Sequence, residues 1–139
     1  MSHSHHTGGC LCGAVRYETD GSPLHVAICH CSLCRRSVGA AAVPWASFRR
    51  AGLRVVRGAP AWHRSSDHAR RGFCPSCGTS LFFETTLAPD EVDVTVASLD
   101  AAAAVAPTHH IWVPDRLPWT TIDDGLPRYR RDTGSEPAE

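Results

Sequence analysis

FCPSCGTSLFF, residues 73 to 83, is the stretch that decides the fold. Cys74 and Cys77 are separated by two residues and followed by Gly78, the form of a zinc knuckle, in which a glycine lets backbone amides turn toward the cysteine sulfurs. Strand-like residues flank it, RRGFC before and TSLFFET (79–85) after. The stretch therefore predicts a β-hairpin whose tip supplies two metal ligands and needs two more.

The chain has seven cysteines, and their spacing predicts two metal sites. The other five are Cys10 and Cys12, separated by one residue, and the group Cys29, Cys31 and Cys34. An odd number cannot all form disulfides within one chain, and Cys-x-Cys closes too short a ring for good bridge geometry. Structural zinc sites have four protein ligands, and catalytic ones have three and an open position. Pairing the knuckle with Cys10 and Cys12 gives a closed site of four and leaves an incomplete site of three.

Other arrangements of the cysteines remain open at this point. The triple could combine with one further cysteine, but that would split a pair and leave its second thiol without a role. Disulfides, an iron–sulfur cluster and unligated thiols are further alternatives, and soft thiolates also accept iron.

Composition limits the classes of partner. The chain has 139 residues and a mass of 15.0 kDa, which favours a single domain with its own core. It has 14 arginines, no lysine and 14 acidic residues, so its formal net charge is zero. Such a chain has no global field for polyanions, which argues against nucleic acid and anionic membranes as main partners. No stretch approaches the ~20 apolar residues of a membrane span.

The ends of the chain predict its domain boundaries and location. MSHSHHTGG lacks the basic and apolar regions of a signal peptide, which predicts a cytoplasmic protein whose thiols stay reduced. We expect residues 1–7 to be a disordered, His-rich tail, residues 8–130 a single domain, and residues 131–139 a polar tail. The oligomeric state is left without a prediction.

Between the cysteines the chain reads as short strands joined by turns. Strands are predicted at 14–19, 25–28, 40–48, 53–58, 61–66, 91–99 and 109–113. One helical turn is expected within 31–39, ended by Gly39. The run 101–106 is too short for a stable helix and predicts a loop or a single turn. The fold class is therefore mainly β, with small antiparallel sheets around a four-cysteine metal site.

Several other side chains are weaker candidates for function. His30 lies between two cysteines, and we expect it to point away from their metal. His109 and His110 are adjacent on a strand, which predicts one side chain toward the core and one toward solvent. Arg70 or Arg71 could bind a substrate carboxylate, although a solvated surface position is the favoured reading. At least three of the four tryptophans are expected in the core, namely among Trp45, Trp62, Trp112 and Trp119.

Motifs along most of the chain resemble one known family. GGCLCGAVRY, CHCSLCRRSVGA, FCPSCGTSLFF, HIWV and DGLPRY occur in the order seen in the glutathione-dependent formaldehyde-activating enzyme family, which includes centromere protein V-like domains. The resemblance spans roughly residues 8 to 129 and implies a β-tent fold. It implies that Cys10, Cys12, Cys74 and Cys77 bind a structural zinc, and that Cys29, Cys31 and Cys34 bind a second, catalytic zinc. Because one position of that second zinc is open, we expect its metal to be labile and the site to be partly occupied.

The same resemblance implies an activity. The founding reaction joins formaldehyde to glutathione as S-(hydroxymethyl)glutathione and is classed as a carbon–sulfur lyase in reverse. Three thiolates and one zinc carry a net charge of −1, so the metal is a weak Lewis acid, which favours thiol ligation over hydrolysis. The predicted partners are thus a small thiol and a small aldehyde. The alternative is a zinc-stabilised binding module without catalysis.

Overall fold

The computed structural model describes residues 4–139, and most of its regular structure is β-strand. The strands are β1 His5–Gly9, β2 Arg16–Asp20, β3 His25–Cys29, β4 Val43–Arg49, β5 Leu53–Arg57, β6 Ala61–Arg64, β7 Ala69–Phe73, β8 Ser80–Thr85, β9 Glu91–Thr95 and β10 His109–Ile111. Helix α1 is Ser32–Val38, and the 3-10 helices are Arg50–Gly52, Val96–Ser98, Ala102–Ala104 and Val113–Asp115. The predicted mainly β class is confirmed.

The strands form two sheets. The smaller has the order β1-β2-β5 and is antiparallel. The larger has the order β10-β3-β4-β9-β8-β7-β6 and is antiparallel except for the pair β10 and β3. A parallel pair needs a long crossover connection. Here the chain between the two strands supplies it, since β3 and β10 are separated by most of the domain.

The two faces of the seven-stranded sheet have different roles. Because side chains alternate along a strand, one face carries a row of apolar residues and the other a polar row. The apolar face packs in the main core with the three-stranded sheet; its members include Val26, Ala46, Val94, Phe82 and Trp62. The opposite face carries a directly paired row across five strands: His25, Ser47, Asp93, Phe83 and Arg71. Cys29 is on that same polar face, four residues beyond His25 on β3.

Gly72 shows how closely the apolar face is packed. A Cβ atom at this position would lie 3.0 Å from the Trp62 ring and 3.1 Å from the Phe82 ring. These two rings stack with their centroids 6.0 Å apart. The strand therefore needs a residue without a side chain where the aromatic pair crosses it.

The predicted β-hairpin around the knuckle is present. Strands β7 and β8 pair antiparallel on either side of the knuckle. Gly78 has φ of +80°, a conformation that glycine adopts without steric cost, and its N–H donates to the Cys74 carbonyl at 2.8 Å. The N–H groups of Ser76 and Cys77 consequently turn toward the Cys74 sulfur, at 3.3 and 3.4 Å.

Helix α1 also agrees in place with the prediction, but it is longer. It begins after Cys31, whose Sγ accepts from the backbone N–H of Cys34, and it ends at Gly39, whose φ is +75°. Its seven residues make about two turns rather than one. The predicted single turn after Asp100 is the short 3-10 helix Ala102–Ala104.

Three details differ from the sequence-based expectations. Residues 5–7 are not a disordered tail, because they belong to β1 and pair with β2; residues 1–3 lie outside the described part of the chain. The strand predicted over 91–99 ends at Thr95, where a 3-10 helix begins. His109 and His110 are both buried, at 6 % and 4 % exposure, instead of one facing solvent.

The burial of both histidines is explained by the C-terminal segment. Residues 127–131 lie along the outer side of β10, where His110 N–H donates to the Pro127 carbonyl and Tyr129 N–H donates to the His110 carbonyl, both at 2.9 Å. Asp124 and Thr133, which lie on either side of residues 127–131, form hydrogen bonds with the imidazoles of His110 and His109, respectively. The polar tail then folds back on itself, with Tyr129 bridged to Pro137.

Within residues 4–139, no helix has the length and apolar character needed to cross a membrane.

Candidate functional site

The knuckle and the first cysteine pair meet where the two sheets come together. The sulfurs of Cys10, Cys12, Cys74 and Cys77 all lie within 4.8 Å of one another. The Sγ atoms of Cys10 and Cys12 are 3.7 Å apart, and those of Cys12 and Cys74 are 3.8 Å apart. Four sulfurs ~2.3 Å from a tetrahedral zinc would be separated by about 3.8 Å. The donor set and its spacing therefore fit zinc, and we call these four residues the first cluster.

Several hydrogen bonds hold the first cluster in the form that metal requires. Val15 N–H donates to the Cys10 sulfur at 3.2 Å, and the Cys77 sulfur is 3.1 Å from the Thr79 hydroxyl. The Thr79 hydroxyl and backbone lower the pKa of Cys77 to about 5. Hydrogen bonds to sulfur favour the thiolate, which is the ligand form of cysteine.

The second cluster consists of Cys29, Cys31 and Cys34, whose sulfurs also lie within 4.8 Å of one another. Cys29 ends β3, Cys31 caps helix α1, and Cys34 is in its first turn. Among residues 4–139, no fourth cysteine, histidine or carboxylate joins the group at that distance. Hydrogen bonds from Cys29 and Cys34 hold the pKa of Cys31 well below its usual range, while the bond to Cys31 raises that of Cys29. A metal bound here would displace the remaining thiol protons, because cysteine binds metal as the thiolate.

His30 points away from the second cluster, as predicted. Its side chain is 1 % exposed, and its Nε2 is 2.9 Å from Nδ1 of His110. His110 Nε2 is in turn 2.7 Å from an Asp124 carboxylate oxygen. Burial lowers the pKa of His30 to about 4, so the ring is neutral at pH 7. The chain of bonds anchors the backbone between Cys29 and Cys31 and so fixes where these two sulfurs point.

A cavity of about 600 Å³ lies over the polar face of the large sheet and includes the second cluster in its wall. The sheet contributes the whole paired row, from His25 to Arg71. Trp45 and Trp112 line it as well. The first cluster is not among the lining residues. The two clusters therefore differ in surroundings: the second lies in the wall of this cavity, and the first lies outside it, with Cys12 exposed to solvent.

The far wall of the cavity carries a polar network. Ser47 donates to an Asp93 carboxylate oxygen at 2.5 Å, and His25 Nε2 lies 2.7 Å from the same hydroxyl. Glu91 is 3.9 Å from the same ring nitrogen. Burial raises the pKa of Asp93. His25, Glu91 and Asp93 lie close enough for a third metal group, but the hydroxyl of Ser47 occupies His25 Nε2.

Arg71 is the site residue that sequence reasoning placed incorrectly. A solvated surface position was favoured, yet Arg71 is 7 % exposed and its guanidinium reaches the Cys34 sulfur. Its neighbour Arg70 is on the other face of β7, over the Trp62 ring and bonded to Glu84. The signal in the sequence was the alternation along RRGF, which assigns the two arginines to opposite faces.

The tryptophans follow the prediction. Trp45 is buried, and Trp62 and Trp112 pack as partly buried residues against the two apolar clusters of the protein. Trp119 is 71 % exposed. Two of the packed rings thus also form cavity wall, because the second apolar cluster surrounds the cysteine triple.

The fold and the site together define a class of protein: small and mainly β, with two cysteine clusters whose geometry fits a metal ion. The sequence also matches the profile of the glutathione-dependent formaldehyde-activating enzyme family over residues 5–115. The match covers most of the chain, and the chain therefore belongs to this family.

Two individual proteins are similar to this chain. A Halomonas elongata protein described as a "putative glutathione-dependent formaldehyde-activating enzyme" is 27% identical over 127 residues, which cover 84% of this chain and 80% of the relative. A crystal structure of a Rhodobacter sphaeroides protein superposes with a TM-score of 0.58 and 34% identity, covering 68% of this chain and 88% of that one. Sequence and structure thus point to the same relationship.

Proposed function

We propose that the protein binds zinc at both cysteine clusters and uses the second to add a small thiol to a small aldehyde. Glutathione is the first candidate thiol and formaldehyde the first candidate aldehyde, as the family name suggests. The observation that carries the proposal is the second cluster itself, in which three cysteine sulfurs converge on the wall of an accessible cavity without a fourth protein donor among residues 4–139. Three protein ligands are the donor set of a catalytic zinc.

The proposed chemistry is a carbon–sulfur bond formation. Zinc bound by three thiolates would keep a fourth sulfur ionised at neutral pH. The thiol proton leaves to solvent, the sulfur attacks the aldehyde carbon, and the carbonyl electron pair moves to oxygen, which takes a proton from water. The product with glutathione and formaldehyde is S-(hydroxymethyl)glutathione, and the reverse reaction is that of a carbon–sulfur lyase. Because its thiolates must stay reduced, the proposal assigns the protein to a reducing compartment such as the cytoplasm.

The polar network lies at the far end of the cavity from the second cluster. His25 and Cys29 lie four residues apart on one face of β3, about 13 Å at ~3.3 Å per residue. This separation is too long for direct proton transfer between the polar network and a sulfur at the second cluster. The thiol of glutathione is on its central residue, so one arm of the tripeptide, shorter than its ~10 Å extended length, would run from the second cluster toward the network. The carboxylates of Glu91 and Asp93 are better placed to meet the amino group at the far end of such a ligand.

Cobalt substitution tests the proposal. Protein with zinc at the first cluster and Co²⁺ at the second should show thiolate-to-cobalt charge-transfer bands. These bands should change when millimolar glutathione is added, because a fourth sulfur enters the coordination shell. Adding formaldehyde should then yield S-(hydroxymethyl)glutathione faster than in protein-free buffer, as followed by ¹³C NMR with labelled formaldehyde.

The same experiment has an outcome that would contradict the proposal. A cobalt spectrum that ignores glutathione and every other small thiol would reject thiol ligation at the second cluster. The binding-module reading, in which both clusters serve only to stabilise a recognition surface, would then account better for the fold. The Cys31→Ser variant is the matched control, since it removes one ligand and should abolish the second-site bands.

A further inference from the structure

Arg71 is a buried cation without a carboxylate partner. Its Nη1 and Nη2 donate to the Cys34 sulfur at 3.6 and 3.7 Å, and Nη1 also donates to the Ser37 hydroxyl at 3.2 Å. The guanidinium carbon lies 4.8 Å from the centre of the Phe83 ring. Within the described residues, no aspartate or glutamate oxygen lies within 4.0 Å of an Arg71 nitrogen. The Cys34 sulfur and the Ser37 hydroxyl are therefore the groups that this cation contacts.

The neighbouring arginine shows that this arrangement is specific. Arg70 is 48% exposed at its side chain, bonds to Glu84 at 2.7 Å and covers Trp62. On the opposite face of β7, its charge is paired with the buried Glu84 carboxylate. Burying a guanidinium is costly unless an anion compensates it, so the position of Arg71 favours negative charge at the second cluster, which its guanidinium contacts through Cys34.

We propose that Arg71 is a positioning residue that acts as the counter-ion of the second cluster and so lets the site accept an anionic fourth ligand. The inference rests on the proposed function, because it takes the second cluster to hold a divalent metal. Three thiolates and Zn²⁺ total −1, and Arg71 brings the sum to zero. After a thiolate binds, the net charge of the site would be −1 with Arg71 and −2 without it. The two guanidinium nitrogens that contact the Cys34 sulfur also orient Cys34, as hydrogen-bond partners of metal ligands generally do.

The electrostatic role has a second consequence, for selectivity. Neutralising a metal–thiolate site favours anionic entering ligands over neutral ones. The effect of losing Arg71 should therefore be larger on binding of a thiolate than on binding of imidazole, a neutral ligand that also coordinates Co²⁺. This difference separates a charge effect from general loosening of the loop.

The test compares Arg71→Gln with Arg70→Gln in protein carrying zinc at the first cluster and Co²⁺ at the second. Loss of an outer partner typically reduces metal affinity 10–100-fold. We expect Arg71→Gln to lower cobalt affinity by about that factor, to lower glutathione affinity at least about tenfold, and to change imidazole affinity by less than about threefold. Arg70→Gln should leave all three values at wild type. Equal behaviour of the two variants, or equal loss of glutathione and imidazole binding, would overturn the proposal.

Arg71→Lys covers the case in which Arg71→Gln does not fold, a condition revealed by loss of zinc from the first cluster. The lysine keeps the charge and removes the fork. Retained glutathione affinity within about fivefold of wild type supports the counter-ion role, and a loss of more than about tenfold refutes it. Failure of the proposed function itself looks different, because the wild-type protein would then show no spectral response to any thiol.

Discussion

The two cysteine clusters have the same ligand chemistry and opposite positions in the fold. The first joins residues 62 positions apart, such as Cys12 and Cys74, and lies where both sheets meet the main core. The second is drawn from six consecutive residues at the end of one strand and the start of a short helix. On the proposed function, sequence separation would decide which cluster stabilises the fold, and access to the cavity would decide which one is available for chemistry.

Cys74→Ser should give the largest effect and would break the comparison if it did not. The first cluster closes a long loop, and a metal bound there would connect the hairpin tip to the first strand pair. Structural zinc contributes on the order of 10 kcal/mol in such sites, which matches the whole stability of a domain of this size. We expect unfolded or insoluble protein, as judged by circular dichroism and bound zinc. A soluble variant with the wild-type melting temperature would show that the first cluster is not what holds the fold.

Alkaline pH should reveal how strongly burial in the main core raises the pKa of Tyr17. Tyr17 packs beside Cys10 in the main core with no exposed surface, and burial raises its pKa to about 12. The unfolded value is ~10. The folded state therefore binds this proton more tightly, so its contribution is complete below pH 10 and is lost as pH rises from about 10 to about 12.

The expected loss of stability is roughly 3 kcal/mol over the whole window and about 2 kcal/mol by pH 11.5, since each pKa unit is worth ~1.4 kcal/mol. Tyr17→Phe should remove this pH dependence, although it loses the 2.7 Å hydrogen bond to Ser98, worth ~1 kcal/mol. Urea unfolding of both proteins at pH 8, 10 and 11.5 measures the difference. Parallel stability curves for the two proteins would show that Tyr17 ionises as easily in the folded state as in the unfolded one.

Cys31→Ser should have the smallest effect on stability. Its metal closes a loop of only six residues, and loop-closure entropy grows with loop length. A serine hydroxyl can also replace the sulfur as the N-cap acceptor of helix α1. We expect a change in unfolding free energy within ~1 kcal/mol, together with loss of one of two bound zinc ions by elemental analysis. Unfolding comparable to that of Cys74→Ser would erase the distinction between the clusters.

Much of this arrangement could be read from local sequence. The two cysteine pairs and the cysteine triple, the hairpin on either side of Gly78 and the helix ended by Gly39 all depend on residues close together in the chain. Their geometry is set by short-range sterics, which a single sequence records. The strand alternation in β9 likewise placed Val92 and Val94 in the core.

What local sequence missed depends on contacts between distant segments. The burial of His110 requires the C-terminal segment, and the placement of His5 in a strand requires its partner Asp20. Arg71 reaches Cys34 because helix α1, which supplies both Cys34 and Ser37, lies against the face of the sheet that carries Arg71. Strand periodicity assigns a face to each residue, but it does not say which distant residues share that face.

The segment that lies along β10 has a consequence for how this protein behaves in solution. A strand at the border of a sheet offers unpaired amides and carbonyls to any other extended chain. Here residues 127–131 occupy those groups on β10, whereas β6, at the other border, is short and carries exposed His63 and Arg64. The segment lies beyond residue 115, where the match to the family profile ends. One edge of the large sheet is therefore covered by the C-terminal segment, and the other is a short strand with exposed polar side chains. A family member without such a segment would have to protect the corresponding edge by other means or pair it with a second chain.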